Sequence, residues 1–393
     1  MNFTEASGFV IIPVSINGSQ PLNFLLDTGS PYTIITNLDA FKYLELKKGE
    51  SISIWGLGRD KRSLDAYLSK NNSVIFGKKE IKDSELILLF ENDDLGGRFG
   101  VPVFGIVGYD ILKDFVVKID YRKGRITFYE HWFFDKRFNK SKYAKVNLEI
   151  EGKKPFVKLN SKINGKDYEL RLLIDSAGTD ALWLFEDDEK GIVPAELYID
   201  DYLGFGLGGD IYGKRSRIER LDVGGYSVDF PTVSYPDSLS VAQVSRVMRN
   251  GSVGAELLKR FTTIYDYKNQ KLYLKKNKYF KQKFYYNMAG LELYQPYPDL
   301  PYLEVSYVRD NSPAALAGLK TGDAVRIFNN KEIGLFNYNK FKSGAGNTDG
   351  NLISLVEINE IFRKEPGIKI VIQYTRGDSS FKRTAEFILT PSF

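Results

Sequence analysis

Residues 23–35 read NFLLDTGSPYTII and residues 169–184 read ELRLLIDSAGTDALWL. In each, an apolar run ends on an aspartate followed by a small hydroxyl residue and a glycine: Asp27, Thr28 and Gly29 in the first, Asp175, Ser176 and Gly178 in the second. The runs Phe24-Leu25-Leu26 and Leu172-Leu173-Ile174 predict buried strands that hold the aspartate loops rigid. One such segment carries little information, whereas two in matched surroundings imply a duplicated unit.

The surroundings do match. A constant offset of 146 carries Gly105 onto Gly251, Gly108 onto Gly254, Leu112 onto Leu258, Phe115 onto Phe261, Asp120 onto Asp266 and Tyr121 onto Tyr267. Upstream, Ile16-Asn17-Gly18 precedes Asp27 as Ile163-Asn164-Gly165 precedes Asp175. Self-similarity at one long spacing predicts two copies of one structural unit, too few for a solenoid. Within each copy, short apolar segments such as FVIIPVSI, SELILLF, FVVKID and RITFY are bounded by Gly, Asn, Asp or Pro, as in an all-β barrel or sandwich. The 25 tyrosines and 27 phenylalanines suit half-buried pleated surfaces.

Composition narrows the chemistry. There is no cysteine and one histidine, His131, so cysteine nucleophiles, thiolate zinc sites and His-rich metal centres are excluded. A Ser-His-Asp triad would have to use His131, which lies between the repeats in EHWFFDKRF, and no Gly-x-Ser-x-Gly turn accompanies it. The formal charge of +5 is too small and dispersed to indicate nucleic acid or membrane binding. No apolar stretch reaches the roughly 18 residues of a membrane-spanning helix.

Carboxylates remain. Hydrolysis without metal or covalent intermediate needs a base to activate water and an acid to protonate the carbonyl or the leaving amine. Two carboxylates divide these roles if they sit close enough to share one proton, and the pair then titrates as a unit, so sequence alone does not say which of Asp27 and Asp175 is the acid. Glycine lets backbone approach closely in a sharp turn, and the Thr28 and Ser176 hydroxyls can bond across an interface to hold the carboxylates.

With these motifs the chain resembles the two-lobed aspartic peptidases of the pepsin and retropepsin type over roughly residues 8–280, with Gly108 and Gly254 where that family carries an apolar-apolar-Gly behind each aspartate loop. The resemblance implies two pseudo-symmetric acid-protease-like β-barrel lobes, over 1–138 and 139–283, with Asp27 and Asp175 meeting between them. It also makes flap candidates of two glycine-rich segments, Trp55-Gly56-Leu57-Gly58 and Gly206-Leu207-Gly208-Gly209, which begin 28 and 31 residues after their aspartates. Residues 204–209 formally satisfy Gly-x-Gly-x-x-Gly, but no helix pattern follows and nucleotide binding is not expected. The second motif departs from the family at Ala177, where a glycine stands in the pattern.

The last segment, 284–393, has no counterpart in the repeats. Its stretch DNSPAALAGLKTGDAVRIFNNKEI at 310–333 resembles a PDZ domain of the bacterial, circularly permuted kind, a β-sandwich with two short helices. A helix is expected from Pro313 to Gly318, a second over LISLVEINEIFRK, and strands over IKIVIQYTRG and KRTAEFIL. The resemblance implies a peptide C-terminus as partner at the Gly290-Leu291-Glu292 loop. A polar loop longer than usual is expected at 336–351.

Two readings are therefore open: a mainly β aspartic endopeptidase acting on polypeptides without cofactor or metal, or a peptide-binding scaffold that kept the fold and lost the chemistry through Ala177. The N-terminus shows no signal-peptide pattern, which is compatible with a cytoplasmic protein or with an envelope or secreted one whose leader has been trimmed.

Overall fold

The structure is a computed structural model that describes residues 1–44, 46–59, 63–89, 95–241, 248–297, 300–334 and 350–393. The long polar loop expected at 336–351 lies almost wholly outside the described residues. The fold is mainly β, and the chain divides into two compact units. Unit 1 comprises Met1–Asp93, Val103–Tyr198 and Leu203–Phe284, and unit 2 comprises Asp94–Pro102, Ile199–Tyr202 and Tyr285–Phe393.

The first copy of the repeat, in unit 1, is a closed barrel. Strand Phe9–Ile16 turns back on Leu22–Leu26, which pairs in parallel with Gly105–Val107; then follow Ile34–Ile35, Lys79–Leu89 and Leu64–Phe76, and the last returns to Phe9–Ile16 at Ser15↔Ile75. The apolar run before Asp27 thus lies inside the barrel, with Phe24 and Leu26 fully buried. Closure removes sheet edges and lets side chains fill the interior.

The second copy repeats the plan. Lys154–Ile163 turns back on Lys166–Ile174, which pairs in parallel with Gly251–Val253, and Leu182–Leu184 flanks that strand on its other side. Where the first copy closes with one long strand, Leu64–Phe76, the second breaks the equivalent run into Gly209–Arg217 and Arg220–Val223, and the latter returns to Lys154–Ile163 at Ser161↔Leu221. The glycines behind each aspartate loop mark close backbone approach. A Cβ on Gly108 would strike the Tyr32 carbonyl, and one on Gly254 the Asp180 carbonyl.

The copies are joined by a sheet in which Val116–Asp120 of the first pairs antiparallel with Phe261–Asp266 of the second, at Tyr265↔Val117. Apolar residues of both copies form one core cluster. The lysine-rich stretch KKNKYFKQK at 275–283 begins at the end of strand Lys271–Lys276, and the turn behind it is clamped by the buried Arg260, whose Nη1 donates to the Tyr279 carbonyl at 3.2 Å and whose Nη2 donates to that of Lys283 at 3.2 Å.

In unit 2, helix Pro313–Leu316 is capped by the Ser312 hydroxyl, and helix Leu355–Phe362 begins with a capping box between Ser354 and Glu357. Strand Asp323–Phe328 pairs with Lys369–Arg376, which pairs with Arg383–Ile388. These follow the elements read from the sequence except at the start of the second helix, where Leu352–Ile353 instead pairs in parallel with strand Lys331–Ile333 and the helix begins after Ser354. Among the described residues no helix is long and apolar enough to cross a membrane.

Candidate active site

Each aspartate sits where a buried strand gives way to a turn, and the two turns are tied to one another. Thr28 Oγ1 donates to the Ile174 carbonyl at 2.8 Å and accepts from Ser176 N at 3.0 Å. Reciprocally, Ser176 Oγ donates to the Leu26 carbonyl at 2.8 Å and accepts from Thr28 N at 3.1 Å. Each hydroxyl thus both donates and accepts, and both are buried, so the four bonds fix one loop against the other.

The carboxylates converge above this lock. The point where a Cβ on Gly29 would stand is 3.2 Å from Asp27 Oδ1 and 3.2 Å from Asp175 Oδ1, so those two oxygens are at most twice that distance apart. Asp27 Oδ1 accepts from Gly29 N at 2.7 Å and Ser30 N at 3.1 Å. Asp175 Oδ1 accepts from Ala177 N at 3.0 Å, the position that Gly29 holds in the first loop. Ala177 does not have a left-handed backbone, so its methyl group meets no conformational strain. Gly178 donates its N–H to the Asp175 carbonyl at 3.3 Å, closing the turn.

Burial raises the Asp27 carboxyl to about 7, with the Asp175 charge adding to the effect and the bonds from Gly29 and Ser30 opposing it. Burial also raises Asp175, but the positive charges of Arg249 and Lys154 and the bond from Ala177 oppose it. Both carboxyls are thus raised together, which favours a pair that shares one proton. Among the described residues no cluster of three or more His, Asp or Glu side chains could hold a metal ion.

The two glycine-rich segments meet. Gly208 N donates to the Leu57 carbonyl at 2.8 Å, and a Cβ on Gly58, whose φ is +139°, would strike the Gly208 carbonyl. Gly56 approaches the same turn, its Cβ position lying 2.6 Å from Gly208 N. Gly206 and Gly209 end and begin the two strands of the second hairpin, and Trp55 leads into the first tip with its ring partly exposed. Only glycines permit backbone to cross backbone at this spacing.

Several residues of the arrangement are not singled out by the motifs. Asp110 accepts from Thr33 N at 2.9 Å and Thr33 Oγ1 at 2.8 Å, bracing the first loop. Asp180, buried with Arg215 as an ion pair, accepts from Trp183 Nε1 at 3.0 Å and Ser234 Oγ at 2.7 Å, bracing the second. The Lys154 charge acts on both aspartates and the Arg249 charge on Asp175.

In unit 2 the Gly290-Leu291-Glu292 segment enters strand Leu291–Tyr294 with Gly290 at φ +64°. Its first N–H is already used: Gly290 N donates to Asn287 Oδ1 at 3.2 Å. Beyond the strand, Gln295 N donates to the Gly97 carbonyl at 2.9 Å, and Gly100 packs on Leu355, its Cβ position 2.9 Å from Leu355 Cβ. The short helix Leu95–Phe99 and the residue after it therefore touch both Gln295, at the end of this strand, and the first turn of helix Leu355–Phe362.

Residues 12–111 match the family model described as aspartyl protease. Among solved structures, the aspartic proteinase from Irpex lacteus is similar, at a TM-score of 0.44 and 12% identity, covering 72% of this chain and 98% of that one. No curated protein matches the sequence.

Proposed function

We propose that the chain is an aspartic endopeptidase in which Asp27 and Asp175 share one proton and activate a water held between them. The observation that carries this reading is the reciprocal Thr28–Ser176 lock, which brings two half-buried carboxylates to one point with their backbone turns immobilised. Asp175 takes a proton from water as the hydroxide attacks the scissile carbonyl carbon. Asp27 gives its proton to the carbonyl oxygen. The proton gained by Asp175 then passes to the departing amine, and Asp27 recovers its own as the carbonyl reforms. An extended polypeptide would lie beneath the touching hairpin tips, which must part to admit it.

The test is cleavage of an unstructured protein such as casein by the purified full chain. Asp27→Asn and Asp175→Asn should each abolish it and a chelator should leave it intact. Cleavage undiminished in either variant would move the chemistry elsewhere. An inert wild-type chain with a correctly folded lock would favour the peptide-binding scaffold.

The C-terminal unit is read as PDZ-like. The bond from Gly290 N to Asn287, and the seating of Gly97 and Gly100 on Gln295 and the helix Leu355–Phe362, favour a module that holds its own chain over one that receives a free C-terminus. Peptides with free and amidated C-termini should then bind the full chain equally. A tenfold or greater preference for the free acid, about the worth of one charge-assisted bond, would restore the carboxylate-binding role.

A further inference from the structure

We infer that Lys154 and Arg249 form a carboxylate-binding subsite beside Asp175, so that the preferred substrate is a polypeptide with an aspartate or glutamate next to the bond that is cut. The inference rests on the peptidase reading above and names its substrate class.

The hairpin register places Lys154. Phe156 faces Leu173 and Val157 faces Leu172, and continuing that pairing sets Lys154 opposite Asp175 at the mouth of the loop. The corresponding register in the first copy, Ile11 facing Leu25 and Ile12 facing Phe24, sets Phe9 opposite Asp27. The duplication has therefore kept the frame and put a cation at one of two equivalent positions. Lys154 is half-buried, and among the described residues its ammonium makes no ion pair or hydrogen bond.

Arg249 precedes strand Gly251–Val253, whose last carbonyl accepts the Asp175 N–H at 2.9 Å. Its backbone is fixed on both sides: Arg171 Nη1 donates to the Met248 carbonyl at 2.6 Å, and Asn250 exchanges bonds with Arg171 N and the Arg171 carbonyl, each at 2.8 Å. The Arg249 guanidinium lies 5.3 Å from the Phe185 ring centre, and its Nη1 is shut off from solvent with no hydrogen-bond partner. A buried guanidinium nitrogen without an acceptor is costly and marks a place where one arrives.

The acids nearby are already spent. Glu149 and Glu151 bond Arg171 at 2.9 and 2.7 Å, and Glu149 also pairs with Lys158. A dyad sharing one proton carries a single negative charge and faces two cations, leaving one unit of positive charge in a desolvated cleft. Burial pushes both Lys154 and Arg249 below their ordinary ranges, and the nearby Arg249 charge pushes Lys154 further. An anionic side chain on the substrate supplies the missing charge and an acceptor for Arg249 Nη1. A neutral isostere leaves that nitrogen unpaired, which is how a polar pocket discriminates most strongly.

The experiment digests a peptide library with the full chain and then measures kcat/KM on matched peptides differing only by Glu or Gln at the enriched position. Acidic enrichment at one position flanking the cut is expected, with a Glu over Gln preference of about tenfold to a hundredfold. Arg249→Gln should lower cleavage of both peptides, because its charge also acts on Asp175, and should bring their ratio toward one; Arg249→Lys should retain part of the preference. A purely structural role would lower both peptides alike, leaving their ratio unchanged. Binding of the same pair to Asp27→Asn, which cannot turn over, separates the two proposals. Equal affinity there, or cleavage with no acidic preference, overturns the subsite. Tighter Glu-peptide binding with no cleavage by the wild-type chain upholds the subsite and overturns the peptidase reading.

Discussion

Asp27 takes backbone bonds from Gly29 and Ser30 and stands opposite Phe9 in the continued hairpin register, while its counterpart Asp175 takes them from Ala177 and Gly178 and stands opposite Lys154, with the Arg249 charge nearby. Their backbones follow the same plan down to the parallel strand behind each loop. A duplicated frame therefore does not imply a duplicated electrostatic environment. Two carboxylates held at one point repel, and something must decide which keeps the proton. On the peptidase reading the decision lies in residues outside the motif: the Lys154 charge acts on both aspartates, and that of Arg249 acts on Asp175.

The largest effects should come from breaking the pair itself. Replacing either aspartate by asparagine should abolish detectable cleavage, a loss of at least the roughly 10²- to 10⁴-fold that a positioned acid or base contributes, with the fold retained. The two should differ in their pH profiles. Wild-type activity should fall as pH rises past about 7, where Asp27 loses its proton. A profile still rising above pH 8 would break the assignment of Asp27 as the acid.

Next is the lock. Thr28→Val and Ser176→Ala each remove a hydroxyl that donates one bond and accepts another, stranding a carbonyl and an N–H in the interior. Each should destabilise the chain by about 1–3 kcal/mol in urea unfolding. The double variant should cost less than the two summed, because each hydroxyl bonds the backbone of the other's loop. Strict additivity would mean that the loops are held independently.

Proton linkage at Asp27 tests the pair through stability instead of rate. A carboxyl raised from 3.8 to about 7 binds its proton more tightly in the folded than in the unfolded chain. Its contribution to stability is full below the unfolded value and is lost as pH rises through the folded one. Asp27→Asn removes that loss, so the variant's melting temperature relative to wild type should climb between pH 4 and pH 8. A difference that stays constant over this range would show that Asp27 is not raised.

The sequence carried the aspartates, the hydroxyls that lock them and the glycines whose tips meet, because each depends on local backbone geometry that a motif records. It did not carry the cations. Lys154 sits in Gly-Lys-Lys, which reads as a solvated turn, and only the hairpin register sets it opposite Asp175; aligning the two hairpins by register would have found it. Arg249 belongs to no motif. Its role appears only when the strand after it slots beside Lys166–Ile174. The makeup of unit 2 was equally hidden, since the buried Arg309–Asp201 pair, at 3.2 Å, joins residues more than a hundred positions apart.

The smallest expected effect is also the sharpest test of the two loops' equivalence. Ala177 is the one departure of the second motif from the family pattern, and a methyl group that displaced Asp175 by about 1 Å could cost roughly a hundredfold in rate. Yet Ala177 N makes the same bond to its aspartate that Gly29 N makes to Asp27, and its backbone lies outside the left-handed region. Ala177→Gly should therefore gain no activity beyond about twofold and should lose about 0.4–1 kcal/mol of stability through the freer unfolded chain. A rise in kcat of tenfold or more, with stability unchanged or improved, would mean that the methyl group does hold the second aspartate out of place. The loops would then differ in geometry as well as in charge.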